Sequence, residues 1–442
     1  MLVLLLLAAP AKADEPPPLD ATDPAYPGGR VPAATGRNEL LVVPRLVLSV
    51  PRLALRAIAL PVQGIVVLNG RYRIYQNFLD ALTSQDQLIG VRLAFDFVLD
   101  YRMMFGLSFF DEKIFGPHTS LHAKVELGGP TLVVADLVLR PLPPQRRVAL
   151  DLEASYVMRD DQIFQAIPSL TPPSQLDRMT RYSIQSGELR IRPRVQLTHK
   201  LSLLFGLDFA VRRFGDGRAS SEPAISQIYC VRIGETCVPR SVDERLVPGF
   251  NAGTQLVRPS VALHLDTFNR PTRTSAGVRL DLGADYSQSL TDASGFFRVA
   301  ASAELAVNLW QSTHVLLLRA QSHLVLPLSG QVPFSELTML GGADNLRGFR
   351  GGRFRDFSSL LFTAEYRWPI WMWADASLFV DYGGVAGRTF DGLSFRKLYP
   401  DIGVGIRMRT SQHVYAGLQF AYGFPDGSQF YFTLGSGTVN PP

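Results

Sequence analysis

From about residue 88 onward, apolar and polar residues alternate along the chain with a period of two. In the first such segment, Val91, Leu93 and Phe95 alternate with Arg92 and Asp96. Later segments repeat the arrangement, with carboxylates and arginines together on one face and almost only Leu, Val, Phe and Tyr on the other. This period predicts β-strands that have one polar and one apolar face.

We count sixteen such segments, near 88–99, 101–110, 119–128, 131–139, 147–157, 182–195, 200–212, 257–267, 274–286, 294–308, 312–327, 357–369, 374–386, 400–409, 413–423 and 427–435. An even number of strands returns both ends of a barrel to the periplasmic side. Short connections such as 310–313 and 410–412 then face the periplasm. The long stretches 158–181, 213–256 and 328–356 are expected to form extracellular loops.

The two faces of these segments favour a membrane barrel over a soluble sandwich. The charged face is too dense for a protein core, whereas a hydrated barrel interior accommodates paired Asp and Arg. Barrel closure also leaves no unpaired strand edge in the membrane. The chain is 46% hydrophobic, yet after its N-terminus it has no apolar run long enough for a spanning helix. We therefore predict an all-β fold, a transmembrane antiparallel β-barrel over residues 88–435, followed by a short tail at 436–442.

Residues 1–13 are predicted to be a signal peptide. An apolar run from Met1 to Leu7 is followed by Ala-Ala-Pro-Ala-Lys-Ala, whose small residues suit cleavage before Asp14. No Lys or Arg precedes the apolar run, a departure that a misplaced start codon would explain. The net charge of +5 is too mild to indicate binding to nucleic acid.

Residues 14–87 are interpreted as a Pro-rich leader and a short periplasmic segment. The stretch 14–38 is rich in Pro, Asp and Gly and cannot bury enough apolar surface to fold independently. Within 40–68, Arg45, Arg52 and Arg56 would share one face of a helix, but prolines interrupt it. Two interpretations stay open for this stretch, namely short amphipathic pieces at the membrane interface or a plain linker packed on the barrel mouth.

The chain has two cysteines, Cys230 and Cys237, in a stretch without strand alternation. In an oxidising compartment, a close pair of this kind is expected to form a disulfide that closes a loop. Two unbridged thiols are the alternative.

An Arg/Gly run at 341–356 lies between two alternating segments. Its four arginines and five glycines can pack closely, but each buried arginine then needs a carboxylate. In the segments that follow, the alternation points Glu365 and Asp381 into the barrel. A loop folded back into the lumen would bring Arg347 within reach of both carboxylates.

Three motifs in this part of the chain resemble those of a known family. The motifs are Leu346-Arg347-Gly348-Phe349, Glu365-Tyr366-Arg367-Trp368-Pro369 and Phe379-Val380-Asp381-Tyr382-Gly383. Together they resemble the C-terminal barrel of the BamA/TamA outer-membrane assembly family, of the bacterial surface antigen type. The resemblance covers roughly 328–435 by motif and 88–327 by pattern. It implies a bacterial outer-membrane location. The periplasmic POTRA modules of that family have no evident counterpart in 14–87.

The resemblance also implies a site. Members of the family fold an extracellular loop into the lumen, where the Arg of an Arg-Gly-(Phe/Tyr) tip pairs with the Asp of a Phe-x-Asp-x-Gly strand. On these motifs, Arg347, Gly348 and Phe349 form the loop tip, and Asp381 is the partner of Arg347. Gly383 belongs to the motif of Asp381, and Glu365 is a nearby acceptor.

The function that the resemblance implies is assistance to protein insertion or translocation through a lateral seam between the first and last strands. The residues expected at the seam are Val91, Leu93, Phe95, Phe430 and Phe432. The expected partners are outer-membrane lipids, unfolded outer-membrane protein clients and a periplasmic partner. The alternative is a passive channel in which the inward loop forms a constriction.

An outer-membrane hydrolase is a third possibility, which would rest on His118, Ser120 and His122 at the start of one strand. No activating constellation surrounds these residues, so ordinary polar residues at the rim are the favoured interpretation and no enzymatic activity is expected. The seven histidines are scattered, and no Cys/His spacing suggests zinc. Neither a metal nor a cofactor is expected.

Overall fold

The computed structural model describes residues 82, 84, 86 and 88–434, apart from 100, 117–118, 143–146, 219–221, 235, 270–273, 311–312, 372–373 and 410–413. The signal peptide expected at 1–13, almost all of the segment at 14–87 and the tail at 436–442 therefore lie outside the described residues. No helix among the described residues is long and apolar enough to cross a membrane.

The described residues form twenty strands, which are β1 (Ile89–Val98), β2 (Met104–Asp111), β3 (Ser120–Leu127), β4 (Val133–Arg140), β5 (Val148–Phe164), β6 (Thr180–Gln196), β7 (Leu201–Asp216), β8 (Cys230–Ile233), β9 (Thr236–Val242), β10 (Thr254–Asp266), β11 (Gly277–Ser289), β12 (Gly295–Trp310), β13 (His314–Ser329), β14 (Thr338–Leu340), β15 (Phe354–Asp356), β16 (Ser358–Trp371), β17 (Ala374–Ala386), β18 (Tyr399–Arg409), β19 (Val414–Gly423) and β20 (Gly427–Leu434). A one-turn α-helix, Ile225–Ile228, precedes β8, and short 3-10 turns lie at Pro173–Gln175, Phe334–Glu336, Arg388–Phe390 and Phe395–Lys397.

Sixteen of these strands close into one antiparallel barrel, in which sequence neighbours pair and β20 returns to β1. The predicted fold class and strand number are thereby confirmed. The other four strands form two small hairpins, β8–β9 and β14–β15, in the connections at one end of the barrel. We call this end the loop-rich end, and the opposite end carries the short turns.

The predicted separation of faces is visible along each strand, and β17 gives a clear example. Leu378 and Val380 are each 44% exposed on the outside of the barrel. Phe379 and Asp381, which alternate with them, are each 1% exposed and point into the lumen. The apolar face is thus left for lipid, and the charged groups are collected inside.

The strands beside the long loops are longer than predicted. The alternation ends near residue 157, but β5 continues to Phe164 and pairs with β6 as far as Thr180. The pattern fails there because polar residues follow one another at Arg159, Asp160 and Asp161, where the pairing of β5 with β6 is irregular. Above the apolar band both faces of a strand can be polar, so the period no longer marks it.

The stretch 213–256 was expected to form an extracellular loop, and it carries two short strands that its sequence did not indicate. It contains the hairpin β8–β9, in which Cys230 lies on β8 and Cys237 lies on β9. β8 has four residues, too few to display alternation, and Arg240 in β9 has a positive φ of 58°. Such short irregular strands give no readable periodic signal.

Loops and strand ends meet in an apolar cluster at the loop-rich end, which we call the cap. Phe334, which is fully buried, stands at its centre, with ring centroids 5.8 Å from Phe164, 5.5 Å from Tyr182 and 4.7 Å from Phe214. The other buried members are Ile167, Ile225, Tyr229, Val242, Val247, Phe250, Leu256, Phe296, Val325, Val332, Leu337 and Phe357. The loops at this end therefore have a hydrophobic core of their own.

Candidate functional site

The connection between β13 and β16, residues 330–357, enters the barrel and is called here the inward loop. Its hairpin β14–β15 holds together the two ends of the Arg/Gly run. Between them, Leu346 is fully buried and has a positive φ of 56°. This left-handed conformation is uncommon for a residue other than Gly and turns the chain sharply just before Arg347. We call residues 346–349 the tip.

Arg347 is bound to two lumenal carboxylates from neighbouring strands. Its Nε and Nη2 donate to Asp381 Oδ2 and Oδ1 at 2.8 and 3.0 Å, and its Nη1 donates to Glu365 Oε2 at 2.8 Å. The backbone N–H of Arg347 also donates to Asp381 Oδ2, at 3.2 Å. The structure thus brings together the arginine and both carboxylates that the sequence analysis singled out, in a two-pronged pairing that a lysine could not reproduce.

The environment of Arg347 keeps it charged. Its guanidinium carbon lies 3.3 Å from the centre of the Phe379 ring, which adds a cation–π contact. Burial alone would lower the pKa of Arg347, but the hydrogen bonds and charges of Asp381 and Glu365 outweigh it and raise that pKa above its usual value. The tip is therefore held by a permanent charge.

Gly348 and Phe349 complete the contact of the tip with the barrel wall. Gly348 N–H donates to Asp401 Oδ2 at 2.6 Å. A Cβ at this position would lie 2.5 Å from both Asp401 Cβ and Gly423 N, so only glycine fits. Phe349 is fully buried, with its ring centroid 5.1 Å from that of Phe354. Polar and apolar contacts thus fix the tip against one wall of the barrel.

Two residues at the tip were missed by the sequence analysis. Asp401 accepts the N–H of Gly348, and Thr363 Oγ1 donates to Asp381 Oδ1 at 2.7 Å. The alternation in the segment 400–409 already pointed Asp401 inward, so the signal for a third carboxylate was present. Gly383, which the motif included, packs closely against β16. A Cβ built at Gly383 would lie 2.9 Å from Leu360 O.

The sequence analysis also missed a second anchor of the inward loop, on a different part of the wall. Glu336 is 3% exposed and forms ion pairs with Arg212 on β7, Arg258 on β10 and Arg298 on β12. The pair with Arg298 joins Nη1 and Oε2 at 3.0 Å. This anchor has the opposite sign to the tip, since one carboxylate lies among three arginines. The inward loop is therefore tied by ion pairs both to β7, β10 and β12 and to β16 and β17.

The other arginines of the Arg/Gly run have different partners. Arg350 Nη1 pairs with Glu222 Oε1 at 3.2 Å, and Arg353 pairs with Asp426. Arg355 is 2% exposed. Its Nη1 donates to the carbonyl oxygen of Phe334 at 3.2 Å. Its guanidinium carbon also lies 4.9 Å from the centre of the Phe334 ring. A buried arginine is thus held here by a carbonyl group and a ring face instead of a carboxylate, although its Nε has no hydrogen-bond partner among the described residues.

The first and last strands of the barrel meet at the seam, where residues 95–98 of β1 pair with 431–434 of β20. Phe95 and Phe432 have ring centroids 5.6 Å apart on the lipid side, and Phe430 lies 5.9 Å from Phe97 in the same way. Of the remaining residues expected there, Val91 and Leu93 lie nearer the short-turn end of β1, where they pair with β2.

The remaining candidate residues that the structure describes do not come together in a second site. Cys230 and Cys237 are joined in a disulfide within the β8–β9 hairpin. Of the three residues considered for a hydrolase, His118 lies outside the described residues. Ser120 is buried at the start of β3, and His122 Nε2 lies 3.2 Å from Glu112 Oε1. Within the described part of the chain, no group of three or more His, Cys, Asp or Glu residues could hold a metal ion.

Residues 85–437 match the sequence profile of the Omp85 superfamily domain. Among solved structures, BamA from Haemophilus ducreyi lacking POTRA domains 1-3 is 13% identical with a TM-score of 0.56, and the match covers 84% of this chain and 78% of that one. CdiB from Escherichia coli is 11% identical with a TM-score of 0.50, and the match covers 78% of this chain and 62% of CdiB. A search of curated protein sequences finds no match. At such identities, the two structures show a shared fold.

Proposed function

This chain belongs to the Omp85 superfamily, and from that premise we propose that it assists the insertion or translocation of proteins at the outer membrane through the seam between β1 and β20. It is a bacterial outer-membrane protein with a barrel of the BamA/TamA type. The observation that carries the proposal is the position of the Arg347 tip, locked inside the lumen beside the strands that lead to the seam.

The seam has the features of a join that opens without unfolding the barrel. Its pairing involves residues 95–98 and 431–434, near the loop-rich end of β1. Elsewhere in the barrel, β12 and β13 pair along almost their whole lengths, from Gly295 to Trp310. Because each strand pair is held by its ladder of backbone hydrogen bonds, a short ladder opens before a long one. A client strand could then pair with the exposed edge of β1 by strand addition.

The partners of this activity are lipids of the outer membrane, unfolded outer-membrane protein clients and a periplasmic partner that delivers them. The sequence contains no nucleotide-binding motif, so the work would be driven by the folding of the client itself. We propose no enzymatic activity and no cofactor.

A passive channel is the second candidate function, and the charged lumen is the observation that favours it. Lumenal groups such as Arg319 and Glu304, whose Nε and Oε2 lie 3.1 Å apart, suit a hydrated passage. The cap and the inward loop oppose free passage, because buried apolar side chains occupy the loop-rich end. Steady ion conductance without any effect on client folding would favour the channel.

The experiment that tests the proposal is client folding in liposomes that contain the purified protein. An unfolded outer-membrane barrel protein is added, and its folding rate is compared for the wild type, Asp381→Asn and the matched control Asp391→Asn, which changes an exposed loop carboxylate. We expect acceleration by the wild type and the control, and loss of acceleration in Asp381→Asn, because that substitution removes one of the two carboxylate charges that hold Arg347, the one bound by both Nε and Nη2.

Two results would count against the proposal. Absence of acceleration by the wild type, when a periplasmic extract is also present, would remove the assembly role. Equal acceleration by the wild type and Asp381→Asn would show that the locked tip has no part in the activity.

A further inference from the structure

Two tyrosines, one from each side of the seam, bind the inward loop at or just beyond its tip. Tyr431 lies on β20, is 2% exposed, and pairs across the seam with Val98 of β1. Its hydroxyl group lies 3.1 Å from the carbonyl oxygens of both Arg347 and Phe349. A tyrosine has a single hydroxyl proton, so this donor is shared between the two carbonyl groups. The last strand of the barrel is thereby tied directly to the loop tip.

Tyr101 provides the corresponding contact from the first strand. It follows β1 by three residues, and its backbone N–H donates to Val98 O at 3.1 Å. Its hydroxyl group donates to the carbonyl oxygen of Gly351 at 2.9 Å. The guanidinium carbons of Arg159 and Arg181 lie 5.6 and 5.5 Å from the centre of its ring, which holds the ring in place.

The two contacts lie at the outer end of the seam ladder. There, Leu99 N–H donates to Phe430 O at 3.1 Å. A further tie on the β20 side joins Arg353 of the loop to Asp426, in the turn that leads into β20. The segment 347–351 thus spans from one edge of the seam to the other, and its backbone carbonyl groups receive a hydroxyl group from each edge.

Resting on the proposed function, we infer that Tyr101 and Tyr431 form a clasp, in which the inward loop holds the two seam strands together and couples the seam to the Arg347 lock. While Arg347 stays bound to Asp381 and Glu365, the carbonyl groups of the loop are fixed and both tyrosines have acceptors. When the tip leaves the wall, both edges lose their common tether at once. Tyr101 and Tyr431 are positioning residues, since they act on the seam through the loop.

The physical argument is that a short ladder gains most from an added tether. Hydrogen bonds to a fixed loop restrict the relative movement of β1 and β20 without adding any contact between them. Because the tether is removable, the closed seam is stable while the lock is engaged and becomes easy to open when it is released. A seam held by backbone pairing alone would open independently of the loop.

The test uses Tyr101→Phe, Tyr431→Phe and the double variant, which remove only the hydroxyl groups. The matched control is Tyr156→Phe on the lipid-facing side of β5, where the residue is 43% exposed. Hydrogen–deuterium exchange of the purified protein in lipid vesicles is followed at residues 95–99 and 431–434, with β5 and β6 as the internal reference. We expect roughly fivefold to tenfold faster exchange at the seam in each single variant, with β5 and β6 unchanged.

The coupling itself is tested by combining each tyrosine variant with Asp381→Asn. If the clasp acts through the locked loop, the tyrosine substitutions add little to the seam exchange once the lock is weakened, so the effects are not additive. Unchanged seam exchange in the tyrosine variants, or fully additive effects in the Asp381→Asn background, would overturn the clasp. Exchange that rises equally in β5 and β6 would also overturn it, because it would show general destabilisation.

The outcome is separable from that of the proposed function. Exchange reports seam opening in the absence of any client, whereas the folding assay reports activity on a client. Faster seam exchange in a protein that accelerates no client supports the clasp while the proposed function fails. Unchanged seam exchange in a protein that does accelerate clients overturns the clasp and leaves the proposed function standing.

Discussion

At the scale of single residues, each anchor of the inward loop is one buried charge surrounded by charges of the opposite sign. Arg347 lies between Asp381 and Glu365, and Glu336 lies among arginines of the opposite wall. A buried ion pair is weak evidence of net stability, but removing one partner leaves the other charge unpaired. These anchors therefore define where the loop sits more than they stabilise the barrel.

The close approach of Gly348 to the wall gives the first prediction. In Gly348→Ala, the new Cβ would meet Asp401 Cβ and Gly423 N at 2.5 Å, so the tip cannot reach its present position. We expect a loss of about 1–3 kcal/mol in the free energy of unfolding and faster proteolysis within 341–356. Urea unfolding in vesicles and limited proteolysis measure the two effects.

The matched control for this substitution is Gly187→Ala. Nothing lies within 4 Å of a Cβ built at Gly187, so the same chemical change should leave stability and proteolysis unaltered. A Gly348→Ala variant that behaves like the Gly187→Ala control would show that the close contact at the tip is not maintained in the membrane.

The residues around Arg347 were predictable from sequence to the extent that alternation assigns a side chain to a face. Period two placed Glu365 and Asp381 in the lumen, and the Arg-Gly-Phe motif supplied Arg347 as a partner by resemblance. Asp401 followed the same period but lay outside the quoted motifs. Glu336 could not be found, because it lies in a loop without any period, and its three arginines come from strands far away in the sequence.

At the scale of elements, strands in the apolar band are predictable and strands beyond it are not. β17 alternates from Ser377 to Tyr382 because lipid lies on one side of it and the lumen on the other. The upper part of β5 and the hairpin β8–β9 have no lipid on either side, and their sequences carry no corresponding pattern. The hairpin β14–β15 has three residues in each strand and is specified by its place in the inward loop rather than by its own sequence.

The second anchor gives a prediction at this scale. Glu336→Gln removes the only carboxylate that binds Arg212, Arg258 and Arg298 from the side of the inward loop. We expect the free energy of unfolding to fall by roughly 3 kcal/mol, since the three arginines lose the carboxylate they share and keep only their ion pairs with Glu188, Asp208 and Asp285. Hydrogen exchange should rise in 334–340 while the Arg347 tip remains protected, because the two anchors hold different parts of the loop.

Glu112→Gln is the control for this prediction. Glu112 pairs with His122 at the short-turn end, its side chain is 41% exposed, and such pairs contribute about 1 kcal/mol or less. Equal stability of the two variants would contradict the view that Glu336 is an anchor. Simultaneous loss of protection at the tip would instead mean that the inward loop responds as one unit.

At the scale of the whole molecule, the barrel has a charged interior and an apolar cap over part of its loop-rich end. The interior explains how so many charged side chains are tolerated in a membrane protein, because they pair with one another in a lumen that lipid does not enter. The cap adds what a simple hydrated channel lacks, a hydrophobic core built from loops and strand ends. A passive channel requires that this core leave the lumen open, whereas a barrel that inserts or translocates proteins through its seam does not.

The cap therefore supplies the last prediction. In Phe334→Ala, the ring that contacts Phe164, Tyr182 and Phe214 is lost from the centre of the cluster. The cavity should destabilise the cap by about 3–5 kcal/mol, so that it opens on its own while the strands stay paired. If the cap obstructs the lumen, ion conductance across planar bilayers should rise well above the wild-type level.

The control is Phe205→Ala on the lipid face of β7, where the ring is 42% exposed and the same atoms are removed away from the cap. Its conductance should equal that of the wild type. A Phe334→Ala barrel that keeps its mobility on unheated gels but shows no added conductance would place the obstruction at the Arg347 tip rather than at the cap. A wild type that already conducts freely would instead favour a passive channel, because an obstructing cap and an open lumen exclude each other.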